Sequence, residues 1–197
     1  MMGKLVIISG PSGSGKSTVL RRLGECCWLP LQPSVSATTR PPRPGERDGQ
    51  DYHFLSPEEF HRRREAGEFL ECKEVFGAGY WYGTLRREVE AGLADGKSVI
   101  LEIDVQGGLA VLEQCPRAVT IFVDPGSRAE LERRLRERGT DSEEAIGRRL
   151  ATAEEEFRIG ENHYRHRVIN DTVDRAVQEI CEILQAEVGG TNGCMKN

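Results

Sequence analysis

The sequence predicts an α/β fold of three layers, in which helices flank a central parallel sheet. Three short apolar runs at 4–9, 98–104 and 119–123 are rich in β-branched residues, as buried parallel strands are. Segments with helical periodicity separate these runs. A chain of 197 residues with this alternation favours one compact unit, or one core that carries inserted lobes, over two independent domains.

The first half of the chain contains two strands, two helices and a long loop. Residues 4–9 predict the first strand and 16–24 the helix after it. Residues 34–51 are rich in Pro, Gly and charge, which predicts a functional loop, and the alternation in 52–56 is typical of a strand. Ser56 as a cap and Pro57 at the first helical position predict a helix over 57–65.

The second half is predicted to alternate in the same way. We expect a helix over 85–94, strands at 98–104 and 119–123, and a last short strand at 167–170. Charged helices are expected over 127–138 and 141–157, with Ser142 as a cap and a break at Gly139-Thr140. An amphipathic helix over 173–188 places Val177, Ile180, Ile183 and Leu184 on one face, and a polar tail over 189–197 is expected to be disordered.

Composition narrows the possible partners and the location. Hydrophobic residues make up 38% of the chain and charged residues 30%, which is ordinary for a soluble enzyme. A net charge of -5 gives no overall attraction for nucleic acid, and no apolar run approaches the roughly 18 residues of a membrane span. The start of the chain does not resemble a signal peptide. We therefore expect a cytoplasmic protein with neither nucleic-acid nor membrane partners.

The cysteines predict no metal centre. They form no CxxC pair and have no histidine at metal-ligand spacing, so a zinc site is not expected. In a chain without an export signal we expect reduced thiols, mostly buried. The six positions are Cys26, Cys27, Cys72, Cys115, Cys181 and Cys194, the last in the polar tail.

The strongest motif is a phosphate-binding loop between the first strand and the first helix. Residues 10–17, GPSGSGKS, match GxxxxGK followed by Ser or Thr. Glycines allow backbone N–H groups to surround phosphates, and the helix N-terminus adds partial positive charge. Lys16 would bridge the β- and γ-phosphates of ATP, and the Ser17 hydroxyl would ligate Mg²⁺. The predicted ATP contacts here are Gly10, Pro11, Ser12, Gly13, Ser14, Gly15, Lys16, Ser17 and Thr18.

A carboxylate follows the predicted strand at 98–104. Asp104 stands where P-loop proteins often place the acidic residue that holds Mg²⁺ through water. An aspartate at a strand end can instead cap the next turn. A flexible Gly/Ser turn is the corresponding alternative for the loop at 10–17, but the motif and its flanking elements agree.

The Arg-rich loop identifies the family that this chain resembles. Its segment SVSATTRPPRPGERDGQDYHF contains a Thr-Thr-Arg triplet, a basic residue three places on, an acidic residue, then Tyr and an aromatic. This pattern resembles the signature of the guanylate kinase family, and the resemblance extends from the P-loop to about Asp171. The matching positions are Thr38, Thr39, Arg40, Arg43, Glu46, Gly49, Tyr52 and Phe54.

The resemblance implies how an acceptor nucleotide would be bound. Arg40, Arg43, Tyr52 and Tyr82 would hold the phosphate of GMP, which suits guanidinium forks and phenol donors. The base would be recognised by Ser36, Glu71, Thr84 and Asp104, with a carboxylate accepting from the N1–H and the exocyclic amine of guanine. Asp104 thus has two candidate roles, in metal organisation and in guanine recognition.

One region departs from the family pattern. The stretch GAGYW before Tyr82-Gly83-Thr84 is longer than usual, so Tyr80 competes with Tyr82 as the phosphate ligand. The alternative for either ring is simple packing. Glu102 also stands where the family has a carboxylate.

The charged segment at 127–164 resembles the lid of this family. Most of its arginines are typical of a salt-bridged helix face, but Arg138 and Arg149 are predicted to stabilise charge on the transferring phosphoryl group. Arg134 and Asn170 are further predicted ATP contacts, Asn170 on the adenine side. The catalytic set implied by the resemblance is Lys16, Arg40, Arg138 and Arg149.

The resemblance implies a single domain over 1–197 that transfers the γ-phosphoryl group of ATP to GMP, and to dGMP. Its parts would be a core (3–35, 86–126 and 165–188), a GMP-binding lobe (36–85), a lid (127–164) and the tail (189–197). Substrates would be small molecules, the cofactor Mg²⁺, and the protein a monomer or a homo-oligomer. Rival functions are a ribose-bisphosphate kinase on the same scaffold, a non-catalytic module that binds phosphopeptides, and a nucleic-acid-dependent NTPase; the intact Lys16 and Ser17 disfavour the second.

Overall fold

The computed structural model describes residues 3–75, 79–137, 139 and 142–189, and it confirms the predicted α/β fold. The strands of this part of the chain are β1 (Leu5–Ser9), β2 (Leu31–Pro33), β3 (Ala37–Thr38), β4 (His53–Phe54), β5 (Phe69–Val75), β6 (Tyr80–Leu85), β7 (Ser98–Glu102), β8 (Val119–Asp124) and β9 (His166–Ile169). Its helices are α1 (Lys16–Cys26), α2 (Pro57–Glu65), α3 (Arg86–Ala94), α4 (Val105–Gln114), α5 (Arg128–Glu137), α6 (Glu143–His163) and α7 (Val173–Gly189).

The central sheet has the strand order β2-β7-β1-β8-β9, and all of its pairs are parallel. All five residues of β1 are buried, because helices cover both faces of the sheet. One face packs on α1 and α7 through Leu23 and Ile180, and the other packs on α4 and α6 through Val111 and Ile159. These two apolar layers fix the carboxyl edge of the sheet, where polar loops follow the strands.

A second, smaller sheet has the order β4-β3-β6-β5 and carries α2. The Phe60 ring of α2 stacks on Phe69 of β5 with ring centroids 4.4 Å apart. The Ser56 hydroxyl accepts a hydrogen bond from the Glu59 N–H at 3.2 Å, as the predicted cap requires. This sheet therefore has its own apolar core.

Helices α5 and α6 pack against each other through a third apolar cluster. Leu131 and Leu135 of α5 meet Ile146 and Leu150 of α6. Their outer faces carry ion pairs at helical spacing, such as Arg133 with Glu130 at 2.7 Å. Exposed pairs of this kind contribute little to stability, so the apolar seam is what joins the two helices.

The structure corrects several predicted boundaries. Helix α6 continues to His163, six residues beyond the predicted end at Phe157. Helix α4 and strands β2, β3, β5 and β6 were not predicted, and β3 lies within the segment 34–51 that was predicted to be a loop. Helix α7 includes Gly189, the first residue of the segment 189–197 that was predicted to be disordered. Arg138, Thr140, Cys194 and the rest of that segment lie outside the described residues. In the described part of the chain, no helix is both long and apolar enough to cross a membrane.

Helix α4 depends on close packing at a glycine. A Cβ atom at Gly108 would lie 2.0 Å from the hydroxyl oxygen of Tyr164 and 3.3 Å from Ile7 Cγ2. The Tyr164 hydroxyl is itself fixed, because it donates to Ser9 Oγ at 2.7 Å. Only glycine leaves room for this approach.

Gly108→Ala is therefore expected to lower the free energy of unfolding by about 1–3 kcal/mol, the usual cost of overpacking a core. Gly147→Ala is the matched control, since nothing lies within 4 Å of a Cβ atom there and Gly147 is exposed in α6. It should be neutral or stabilising by up to about 1 kcal/mol. Urea denaturation of the three proteins measures both effects, and equal stability of the two variants would contradict the expected clash.

Candidate active site

The P-loop connects β1 to α1 at the carboxyl edge of the central sheet. Gly13 and Gly15 adopt φ of 95° and 89°, values that favour glycine. A Cβ atom at Gly15 would also lie 2.5 Å from Asn170 Nδ2. Helix α1 begins at Lys16, so its first N–H groups and its dipole face the cleft at this edge.

Lys16 is held across the loop. Its Nζ donates to the carbonyl oxygens of Gly10 at 2.6 Å and Pro11 at 3.1 Å. Burial lowers the pKa of Lys16, although the charges of Glu102, Glu156 and Asp104 oppose this change. A polyphosphate in the cleft would supply a counter-charge for this partly buried ammonium.

Two side chains, those of Asn170 and Arg134, form hydrogen bonds that support the P-loop. The Asn170 amide is buried and donates to the Ser14 carbonyl at 2.7 Å. Arg134 of α5 donates to the same carbonyl at 3.2 Å and to the Asn170 carbonyl at 2.6 Å. Both residues therefore contact the loop backbone, and their contacts with ATP stay predictions. Thr18 is exposed on the first turn of α1.

Carboxylates border the cleft opposite the P-loop. Ser17 Oγ donates to Glu102 Oε1 at 2.6 Å. Asp104 caps α4, because its Oδ1 accepts from the Gly107 N–H at 2.8 Å, and its Oδ2 accepts from Lys73 Nζ at 2.9 Å. Asp104 thus has the capping geometry that was one alternative, and it also lines the cleft.

Helix α6 approaches the P-loop with two charged groups. Arg149 donates to Ser12 Oγ at 2.6 Å. Glu156 follows seven residues later, two turns along the same face, and lines the cleft with Lys16. Arg138, the other predicted arginine of the lid, lies outside the described residues.

A second pocket of about 220 Å³ lies between the small sheet and Asp104. Glu71 of β5 and Tyr82 of β6 line it, together with Ser36 and Tyr52. The buried Thr84 hydroxyl donates to Glu71 Oε1 at 2.7 Å. Burial raises the pKa of Glu71, while the bond from Thr84 acts in the opposite direction.

The two tyrosine candidates differ in position. Tyr82 pairs with Lys73 and Thr38 across the small sheet and lines the second pocket. Its ring centroid is 6.0 Å from that of Tyr52. Tyr80 lies nearer the end of the β5–β6 pairing, opposite Val75, and is not among the residues that line this pocket. The position favours Tyr82, whose role stays a prediction.

The two predicted arginines of the Arg-rich loop also differ. Arg40 is nearly buried and forms an ion pair with Glu46 at 2.8 Å. Its guanidinium lies 5.4 Å from the ring centroid of Tyr52, which lines the second pocket. Arg43 is exposed on the outer turn of the loop. Arg40 is therefore beside the second pocket in this structure, whereas Arg43 is on the protein surface.

The cleft at the P-loop, of about 390 Å³, and the second pocket have a common wall. This wall consists of Ser36, Tyr52, Glu102, Ile103 and Asp104. The two pockets are therefore adjacent.

The sequence did not single out Glu156 and Lys73. Glu156 belongs to a run of charged residues in α6, and only its helical spacing from Arg149 indicates a cleft-facing position. Lys73 is brought to Asp104 by the pairing of β5 with β6, which has no local signal. Burial raises the pKa of Glu156 to about 7, an effect that Lys16 opposes and Asp104 reinforces.

The raised pKa of Glu156 has a consequence for stability. Between its ordinary value of 4.5 and about 7, the folded protein binds more protons at this site than the unfolded chain, so stability falls as pH rises through this window. Glu156→Gln removes the effect. The free energy of unfolding of the variant minus that of wild type is expected to rise by about 2 kcal/mol from pH 5 to pH 8. This is less than the change in pKa would give for a fully buried group, because the carboxylate is only partly buried.

The neighbouring Glu155→Gln is the control for this comparison. Glu155 is exposed, and hydrogen bonding from Arg158 lowers its pKa, so its contribution is lost as pH falls and not as pH rises. Denaturant titrations at the two pH values measure each variant. A pH profile of Glu156→Gln that is parallel to that of wild type would contradict the assignment.

A P-loop at the carboxyl edge of a parallel sheet binds the phosphates of a nucleoside triphosphate, and a second pocket across a common wall provides for an acceptor. The fold and the site together define a P-loop phosphotransferase that acts on a small molecule. Comparison with known proteins gives the family.

The guanylate kinase family model matches residues 2–187. The chain is 59% identical over 196 residues to a guanylate kinase of Rhodopirellula baltica, covering 99% of this chain and 93% of that protein. It is 49% identical over 190 residues to a guanylate kinase of Symbiobacterium thermophilum, covering 96% and 88%. The chain belongs to the guanylate kinase family.

Solved structures agree with this assignment. The crystal structure of guanylate kinase from Anaplasma phagocytophilum is similar with a TM-score of 0.75 and 35% identity, covering 94% of this chain and 86% of that one. A gluconokinase from Sinorhizobium meliloti, at a TM-score of 0.53 and 19% identity, shares the fold alone.

Proposed function

We propose that this enzyme transfers the γ-phosphoryl group of ATP to GMP, and to dGMP, releasing ADP and the nucleoside diphosphate. Family membership supports the reaction. The observation that carries the proposal is that two adjacent pockets share five lining residues. One pocket contains the P-loop lysine, and the other contains Glu71 and Tyr82. A role in purine metabolism and GMP recycling in the cytoplasm belongs to the same proposal.

Guanine would be selected by Glu71. Its carboxylate, oriented by Thr84, would accept from N1–H and the exocyclic amine, donors that adenine does not present as a pair. The hydroxyls of Ser36 and Thr84 and the carboxylate of Asp104 would complete the base site. The phosphate would be held by Tyr52, Tyr82 and Arg40, and by Arg43 once its exposed side chain turns toward the pocket.

The transfer itself would need no covalent intermediate. An ionised phosphate oxygen of GMP attacks the γ-phosphorus, and the bond from phosphorus to the β–γ bridging oxygen breaks as ADP leaves. Lys16 would neutralise charge on the β- and γ-phosphates. Arg149, already in contact with the P-loop, and Arg138 would stabilise the transferring group.

The oxygen donors beside the P-loop suit a magnesium ion that enters with ATP. Among the described residues no group of three or more His, Cys, Asp or Glu side chains could hold a metal by itself, which agrees with an ion that takes its other ligands from phosphate and water. Ser17 would be the direct ligand, and Asp104 would act through water. When bound, Mg²⁺ supplies charge neutralisation on the phosphates.

We infer that the chain is one domain with three functional parts. The core (3–35, 86–126 and 165–188) would carry the P-loop, the lobe at 36–85 the GMP site, and the lid at 127–164 the arginines. The separate apolar cores of the small sheet and of the α5–α6 pair support this division. Closure of both parts over the substrates would exclude water, which would otherwise hydrolyse ATP.

A coupled ADP-release assay tests the proposal. With Mg-ATP, GMP is expected to be turned over and dGMP to act as a second acceptor, whereas AMP, CMP and UMP are not. If ATP binds but no monophosphate accelerates ADP release, the acceptor assignment fails. Turnover of a non-nucleotide phosphate ester would favour the rival kinase on the same scaffold.

A further inference from the structure

The Arg40 guanidinium is held by Glu46 in a two-pronged ion pair. Nη1 donates to Glu46 Oε2 at 2.9 Å, and Nη2 donates to Oε1 at 2.8 Å. The two side chains are only 11% and 19% exposed. Such a fork fixes the plane of the guanidinium as well as its position.

Glu46 is itself anchored by the backbone of a turn. Its Oε2 accepts from the Arg43 N–H at 2.7 Å, and its own N–H donates to the Arg43 carbonyl at 3.0 Å. These reciprocal bonds close the turn at 43–46. The carboxylate is therefore fixed to the main chain of its loop before it pairs with Arg40.

Aromatic rings limit the other movements of Arg40. Its Cζ lies 5.4 Å from the ring centroid of Tyr52 and 5.8 Å from that of Phe54. Hydrogen bonding to Glu46 raises the pKa of Arg40, against the effect of burial. Arg40 thus lies beside Tyr52, one of the proposed phosphate ligands.

The donors of Arg40 can be counted. A guanidinium has five N–H groups. Two of them bind Glu46, and a third, on Nη1, donates to the Pro41 carbonyl at 2.8 Å. The Nε hydrogen and the second Nη2 hydrogen lie together on the other edge, a geometry that matches two oxygens of one phosphate.

Charge alone gives no reason for a carboxylate at this place. A negative group beside the site of a phosphate dianion repels that dianion, and the repulsion is stronger near a protein surface than in bulk water. We propose that Glu46 is a positioning residue, which holds one edge of the Arg40 guanidinium so that the Nε edge is presented to the phosphate of the acceptor nucleotide. The inference rests on the proposed function, since it assumes a phosphate monoester in the second pocket.

Replacing Glu46 with glutamine distinguishes a positioning role from a mere nearby charge, because the two roles change the KM for GMP in opposite directions. If Glu46 positions Arg40, Glu46→Gln raises the KM for GMP on the order of tenfold and leaves the KM for ATP unchanged. If Glu46 acts only as a nearby charge, the same substitution lowers the KM for GMP. Glu65→Gln, at an exposed carboxylate of α2 in the same lobe, is the control for a general loss of charge.

Calorimetric binding of GMP and of guanosine makes the test independent of turnover. Glu46→Gln should weaken GMP binding about tenfold and leave guanosine binding unchanged, since guanosine has no phosphate. Unchanged guanosine binding also shows that the variant is folded. Equal weakening of both ligands would overturn the proposal, because the role of Glu46 would then be structural.

A double-mutant cycle shows whether Glu46 acts through Arg40. In an Arg40→Ala background, Glu46→Gln should no longer weaken GMP binding and should strengthen it slightly, because only the repulsion remains. A tenfold weakening in that background would overturn the proposal. Turnover of GMP by wild type tests the proposed function separately, so the two inferences can fail independently.

Discussion

Replacing Lys16 with alanine is expected to lower kcat by about 10³-fold, with a much smaller change in the KM for GMP. The Lys16 ammonium is the one described cation that both lines the P-loop cleft and bonds to the loop backbone, at 2.6 Å from the Gly10 carbonyl. Burial lowers the pKa of Lys16, because its ammonium group has lost part of its hydration. The charge of a bound triphosphate would therefore interact with this ammonium more strongly than it would in bulk water. The charge that develops on the β–γ bridging oxygen would lose this partner in the variant.

Steady-state assays with saturating Mg-ATP and variable GMP measure the loss. Lys97→Ala is the control, because Lys97 pairs with Asp95 at 3.2 Å, close to the amino end of β7 and away from the cleft. It should retain wild-type turnover. A Lys16→Ala enzyme within tenfold of wild type would mean that the P-loop is not the phosphoryl-donor site.

Local signals predicted the parts of the fold that depend on neighbouring residues. The start of α2 follows from Ser56 and Pro57, whose capping and fixed φ act within one turn. The strand β1 and the P-loop follow from an apolar run that meets glycines. In each case the residues that determine the structure are adjacent in the sequence.

Helix α4 was not predicted from the sequence, and the reason is physical. Gly107 and Gly108 lie near its start, and glycine disfavours a helix interior by about 1 kcal/mol each. Gly108 is there because of a contact distant in sequence, the Tyr164 hydroxyl, which approaches too closely for a side chain. Tertiary packing thus overrides local propensity, and a single sequence does not contain that contact.

The candidate site also has parts that local sequence predicts and parts that only tertiary packing brings together. The loop at 10–17 could be found by spacing alone, but the contacts of Lys73 with Asp104 and of Glu156 with the cleft arise from strand pairing and helix packing. The resemblance to a family supplied Glu71 and Tyr82, whose sequence surroundings are ordinary. Their convergence on one pocket is a property of the β5–β6 pairing.

Replacing Glu71 with glutamine is expected to lower kcat/KM for GMP by about 10³-fold. A carboxylate presents acceptors to both donors of guanine, whereas an amide would place its NH₂ group against one of them and leave buried donors unpaired. The Thr84 hydroxyl already donates to Oε1, which fixes the orientation of the group and directs the remaining acceptors into the pocket. The loss should therefore appear in GMP recognition and leave the KM for ATP unchanged.

The choice of acceptor distinguishes recognition by Glu71 from a general structural role. IMP has the N1–H of guanine but no exocyclic amine, so wild type should discriminate strongly between GMP and IMP and the variant should lose most of that ratio. Glu74→Gln, at an exposed carboxylate of the same strand, is the matched control and should keep the ratio. Retention of the GMP-to-IMP ratio by Glu71→Gln would exclude the carboxylate as the reader of the guanine edge.

The raised pKa of Glu71 predicts how the KM for GMP changes with pH. Burial raises this pKa, so the acceptor carboxylate is protonated at a higher pH than an exposed glutamate would be. As pH falls through that pKa, the group loses an acceptor for guanine, and the KM for GMP should rise while the KM for ATP does not. The Glu71→Gln enzyme has no such group, so its KM for GMP should stay level over the same range, because the loss comes from one carboxylate and not from the fold.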